Sequence, residues 1–272
     1  MQNSNPMPTP MLSSTKLTSQ GNDYYEDPTS YRSLVGGLQY ATLTHPEIAF
    51  SVNRVSQFMH QPQQQHWKAL KRILRYLSGK ARHGILFTKS TDFHLLAFSD
   101  ADWANDLDDR RSTSGYCIYL GNNPIFWSTR KQNTMSRSST EAKYRCLADT
   151  HAELLWIQKL LKELQINSSV PPTIYYDSLG AVLLAENHVL HSRSKHFEVD
   201  LHFVQSRVAK KELFVVHIPT QSQVADILTK PLPAPSFEKF SDKLRLQSLS
   251  TLNLRGTVES IESSCKSVSV AN

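Results

Sequence analysis

Apolar positions recur along this 272-residue chain with two periods, and the changeovers between them divide it. From residue 31 to 59 they fall at helical spacing. The break is at Thr44-His45-Pro46, where proline suits the first turn of a second helix and Thr44 can cap it. Residues 63–78 predict another helix, with Trp67, Leu70, Ile73, Leu74 and Leu77 as its apolar stripe and Lys68, Lys71, Arg72 and Arg75 on an adjacent face. Gly79 and Gly84 end it. The period then drops to two over 85–87, 93–99, 115–120 and 124–128, and Gly121-Asn122-Asn123 supplies a hairpin turn between the last two. The longest helical pattern follows over 138–164. Its apolar face holds Leu147, Ala148, His151, Leu154, Leu155, Ile157, Leu161 and Leu164. Pro171-Pro172 restarts the chain in a strand over 173–177. Helices over 178–186 and 194–210, a strand over 213–218 and a final helix over 222–229 complete the pattern. The reading is an α/β fold with a mixed five-stranded sheet flanked by helices. It divides into a flexible lead-in (1–30), a small helical segment (31–84), the sheet domain (85–232) and a mostly disordered tail (233–272).

This pattern places four carboxylates in comparable settings. Asp100 ends a strand, Glu141 opens the long helix, Asp177 ends another apolar run and Asp226 lies on the last helix. Acids converging from separate elements repel unless cations share them, and Mg²⁺ favours such oxygen ligands. Taken singly, each acid has an equally good structural reading. Ser138-x-x-Glu141 is a capping box, Asp177 precedes a helix as an N-cap would, Asp226 reads as an exposed helical acid and Asp100 as a turn residue. Asp102, Asp106, Asp108 and Asp109 read as loop acids at the rim.

Charge sharpens the picture. Residues 1–90 carry 10 Lys/Arg against 4 Asp/Glu, whereas 91–272 carry 20 of each. A neutral acid-bearing part beside a basic grip suits a polyanionic partner, although a basic helix face is more often merely solvated. Three well-separated cysteines, Cys117, Cys146 and Cys265, make neither a zinc pattern nor a disulfide framework and fit a reducing intracellular setting, cytoplasm or nucleus. No apolar run approaches the ~20 residues that cross a bilayer, and the polar start lacks a signal-peptide apolar region.

Several motifs in order resemble the end of a copia-type LTR retrotransposon Pol polyprotein. Ser33-Leu34-Val35-Gly36-Gly37-Leu38-Gln39-Tyr40 and residues 67–77 resemble the segment joining reverse transcriptase to its ribonuclease H domain. Ser99-Asp100-Ala101-Asp102-Trp103-Ala104, Arg137-Ser138-Ser139-Thr140-Glu141-Ala142, Tyr176-Asp177-Ser178 and Val224-Ala225-Asp226-Ile227-Leu228-Thr229-Lys230 resemble that domain's own motifs, and Arg193-Ser194-Lys195-His196 a further signature. Residues 252–257 are similar to such a polyprotein's C-terminal end.

The resemblance implies a ribonuclease H-like fold and an endonuclease cutting the RNA strand of RNA–DNA hybrids. Asp100, Glu141, Asp177 and Asp226 would bind two Mg²⁺ ions, or Mn²⁺ in their place. One ion would activate the attacking water and the other take up charge on the leaving oxygen, about 4 Å away. The 2′-hydroxyls would mark the RNA strand. Independently of the resemblance, the basic charge pattern points to Lys68, Lys71, Arg72, Arg75, Arg193 and Lys195 as nucleic-acid contacts, with His191 and His196 beside that path.

There are departures from the family pattern. Lys143 stands where many members have Glu, two residues after Glu141, and the loop before Asp226 offers only His217, on a strand, as a product-release histidine. No Tyr-x-Asp-Asp hairpin is present, so the chain is expected to start after the polymerase palm and to synthesise no DNA, any reverse transcriptase being supplied in trans. The alternative is a catalytically silent remnant that folds and at most binds nucleic acid. Integrase and DEDD-exonuclease readings fail on the order of the acids.

Overall fold

The computed structural model describes residues 5–166, 168, 170–186 and 198–248. Helices α1 (Pro28–Ala41), α2 (Ala49–Ser56) and α3 (Gln64–Gly79) come first, followed by the short strand β1 (His83–Ile85). The main sheet takes β2 (Leu95–Asp102), β3 (Thr113–Leu120) and β4 (Asn123–Lys131) as an antiparallel meander. Helix α4 (Ser139–Glu163) crosses to β5 (Thr173–Tyr176), parallel to β2. Helices α5 (Leu179–Glu186) and α6 (Glu198–Ala209) lead to β6 (Phe214–His217), parallel to β5. The order β4-β3-β2-β5-β6 is the mixed five-stranded sheet that the pattern of periods predicts, with the ribonuclease H-like arrangement that the resemblance implies. Pro46 sits in the first turn of a 3-10 helix, Pro46–Ile48, but its cap residue is His45, with no side-chain cap bond, rather than Thr44.

Alternation along β2 separates two cores. Leu95, Ala97 and Ala101 face α4, α5 and α6 together with Ile118, Leu147, Leu154 and Ile174. Leu96 and Phe98 face the other way, with Cys117 and Tyr119, onto a layer made by α1–α3 and the C-terminal elements. The helical segment is thus one face of the sheet's own packing rather than an appendage. Met11 and Leu17, read as part of a flexible lead-in, are buried in that layer, and α3 holds the segment through Arg72 to Thr9 and Gln65 to the Thr18 carbonyl.

The last part of the molecule also differs from expectation. In place of an α-helix over 222–229 the chain makes two 3-10 turns, Thr220–Ser222 and Val224–Leu228. Beyond Pro233, read as tail, helix α7 (Ala234–Lys243) and strand β7 (Leu246–Ser248) are ordered. They bury Phe237, Phe240, Leu244 and Leu246, and β7 pairs antiparallel with β1. Apolar residues at helical spacing outweigh the serines and prolines around them.

Gly115 governs how the second 3-10 turn meets the sheet. It lies opposite Asp100 in the β2–β3 register. A Cβ there would stand 2.7 Å from Thr229 Cγ2 and 2.9 Å from the Leu228 carbonyl oxygen, so only glycine admits the turn this closely.

Candidate metal centre

Three acids meet at the end of β2. Asp100 projects from the strand, Asp177 follows the last residue of β5, and Asp226 sits in the 3-10 turn that Gly115 admits. One carboxylate oxygen from each lies within 4.8 Å of the others. The parallel β2–β5 pairing brings Asp100 and Asp177 side by side. Gln223 ties the turn to β2, donating Nε2–H to the Ser99 carbonyl at 2.9 Å and accepting from the Ala225 amide. Thr229 donates its hydroxyl to Asp100 Oδ2 at 2.7 Å. Gln223 and Thr229 are fully buried. Sequence reasoning misses both; the signal that could find them is a polar residue three positions to either side of Asp226, bracketing an otherwise apolar run.

Two ammonium groups share these carboxylates. Lys143 Nζ is 2.7 Å from Asp177 Oδ1 and 3.4 Å from Asp100 Oδ1. Lys230 Nζ is 2.9 Å from Asp226 Oδ1 and 3.7 Å from Asp100 Oδ2. The Lys230 contact leaves Asp226 Oδ1, which is buried, without an aligned hydrogen bond. Burial pushes the Asp100 carboxyl up, but Lys230, Lys143 and the Thr229 hydroxyl outweigh it and hold Asp100 below the usual range. Asp226 goes the other way, raised to about 7 by burial and then by the neighbouring Asp100 charge. Three acids against two ammonium groups leave one negative charge over.

Glu141, expected as the fourth ligand, does not join this cluster. Its Oε2 accepts from the Arg137 amide at 2.9 Å and its Oε1 from Arg145 Nη2 at 2.8 Å, while its own amide donates to Ser138 Oγ. The capping reading accounts for it: the carboxylate serves the helix start and an i,i+4 ion pair.

The expected basic grip is divided. Lys68 is exposed, and Lys71 lies over the Trp67 ring. Arg72 instead donates to Thr9 Oγ1 and Arg75 to the Asn5 carbonyl, so both hold the start of the chain. His191, Arg193, Lys195 and His196, like residues 252–257, lie outside the described residues. Asp106, read as a loop acid, is buried, with Arg54 Nη1 at 2.7 Å and Lys131 Nζ at 2.9 Å. It anchors the loop after β2 onto α2 and β4.

No family model matches the chain. It is 51% identical, over 244 residues and 90% of its length, to the retrovirus-related Pol polyprotein from transposon RE2 of Arabidopsis thaliana. It is 36% identical, over 248 residues and 88% of its length, to that from transposon TNT 1-94 of Nicotiana tabacum. The chain spans only 17% and 18% of these relatives' lengths. Among solved structures, an LC11 ribonuclease H1 in complex with an RNA/DNA hybrid aligns at 15% identity with a TM-score of 0.39, covering 50% of this chain and 93% of that one. With half of its aligned residues shared along nine-tenths of its length, and with the family's ordered motifs on a ribonuclease H-like sheet, the chain belongs to the copia-type, retrovirus-related Pol polyproteins.

Proposed function

We propose that this chain is the hybrid-cleaving nuclease part of a retrotransposon Pol polyprotein, hydrolysing the RNA strand of RNA–DNA duplexes with divalent-metal help. The observation that carries this reading is the convergence of Asp100, Asp177 and Asp226 from three separate elements onto one point. An all-oxygen donor set with one uncompensated charge fits a hard cation such as Mg²⁺ or Mn²⁺. The buried, poorly satisfied Asp226 Oδ1 is the sort of atom such an ion would engage. Bound there, divalent ions would supply an activated water and charge relief at the leaving oxygen.

The chain's own residues set up that chemistry. The Thr229 hydroxyl fixes the rotation of the Asp100 carboxylate, and Gln223 locks the Asp226 turn to the strand. Lys143 and Lys230 keep the acids together while no ion is bound. Lys68 and Lys71 remain available on α3 for the phosphate backbone, a sequence-independent contact whose strength would fall with salt.

The second reading, a silent remnant that binds hybrid without cutting it, is favoured by one observation: Lys143 places a cation between Asp100 and Asp177. A labelled RNA–DNA hybrid incubated with Mg²⁺ separates the two. Cleavage by the wild-type chain, falling to the protein-free level in Asp100→Asn, is the expected result. Equal cutting by both would overturn the mechanism, and binding without cutting in Mg²⁺ or Mn²⁺ would establish the silent reading.

A further inference from the structure

We propose that position 143, rather than 141, is where α4 addresses the acidic cluster, and that the Lys143 ammonium occupies the place of one divalent ion. The inference rests on the metal-site reading above and adds which ion position is blocked and by what. Its geometric basis is the register of α4. Cys146 Sγ lies 3.0 Å from the Asp100 carbonyl oxygen, and Thr150 donates to Ser99 Oγ at 2.9 Å. Residues 143, 146 and 150 are spaced i, i+3 and i+7, so they form one stripe along the helix. That stripe runs against the end of β2, and its first member is Lys143.

Residues two apart on a helix are about 200° apart around the axis, so Glu141 cannot share that face. It lies instead on the stripe it forms with Arg145, four residues on. The backbone at 143 is held as well, since the Tyr176 hydroxyl donates to its carbonyl. The side chain lies against the Tyr176 ring, with Nζ 5.9 Å from its centroid. Lys143 is therefore aimed, by the strand, the ring and the helix register together, at the gap between Asp100 and Asp177.

A group contacting one oxygen of each of two carboxylates does what a bridging cation would do. It carries a single charge, offers no open ligand position for water and is tethered to the chain. A divalent ion entering this gap has to expel it. The Lys230 side of the cluster keeps an exit, because that side chain is about one-third exposed and its contact with Asp226 is poorly aligned. The wild-type chain is thus expected to take one ion readily and a second only at high concentration. Lys143→Glu would replace the fixed cation by a fourth carboxylate at the position that faces the cluster.

The test titrates Mn²⁺ into the full chain and counts bound ions by electron paramagnetic resonance, with thermal melting as a second readout. Wild type is expected to hold one ion, and Lys143→Glu two, with an overall affinity gain of about tenfold or more. Lys143→Gln, one atom shorter and uncharged, adds no repulsion to the metal-free fold and is expected to gain affinity as well. Glu141→Gln should bind as wild type does. If Glu141→Gln loses an ion, or both Lys143 variants bind as wild type does, the assignment of position 143 is overturned while the metal site stands. If no variant binds Mn²⁺, Lys143→Glu included, the metal-site reading itself falls.

Discussion

A single buried acid and a buried cluster of three lie near the end of β2, and they are resolved in opposite ways. Around Asp106 the cations suffice. Arg54 and Lys131 flank it, and the Asp108 and Asp109 amides donate to Oδ1. Although burial opposes ionisation, these partners hold its carboxyl far below the usual carboxylate range. Around Asp100, Asp177 and Asp226 three acids share two lysines, and Asp226 is driven up to about 7. Both are compact, both mix acids with bases, and sequence composition scarcely separates them. The difference is that one is neutralised by the chain and the other is left in deficit. A structural ion-pair node is complete by itself, while the site we propose for an external cation is built short of positive charge.

That contrast predicts mutational effects of opposite sign. The largest should come from Asp106→Ala, which strands the buried Arg54 guanidinium. Removing one partner of a buried pair costs about 3–5 kcal/mol, readable as a lower urea midpoint, with Mn²⁺ binding unchanged in whatever fraction remains folded. Asp226→Asn should do the reverse in metal-free protein, raising stability by up to about 4 kcal/mol at pH 8. The sign follows from linkage. The folded-state value lies above the unfolded one, so the folded chain retains a proton that the unfolded chain has already lost between about pH 4 and 7. The wild type therefore loses stability relative to the variant across that window. Below it both states are protonated, and the gain should vanish at pH 4. A loss of stability at pH 8 would show that Asp226 is as well satisfied as Asp106. The smallest effect, about 1 kcal/mol from the lost cap, is expected for Ser138→Ala, measured by thermal melting with no change in ion binding.

Much of this was legible in the sequence because it rests on local periods. The strand alternation of 93–99, the glycine turn at Gly121 and the apolar face of α4 each reappear close to their predicted bounds, and so does the convergence of Asp100, Asp177 and Asp226. What stayed hidden depends on rotation about an axis or on distant partners. Glu141 and Lys143 are two residues apart, and no count of acids reveals which of them faces the sheet. The partnership with Cys146 and Thr150 decides it, and that requires knowing which stripe meets β2. Asp106 looked like a loop acid because its partners, Arg54 and Lys131, come from opposite directions along the chain. Met11 and Leu17 lie in a polar, proline-containing stretch with no periodicity, and their burial is imposed by the surface they cover.

The pairing of β1 with β7 has a consequence for anyone dissecting this molecule. Residues 246–248 reach back across the chain to 83–85, and α7 delivers Phe237 edge-on to the ring of Tyr76. A fragment cut at Leu232, where the motifs stop, would keep every acid of the cluster. It would also strip the wall from the first helices, leaving a sticky, half-clothed particle in place of a minimal folded domain.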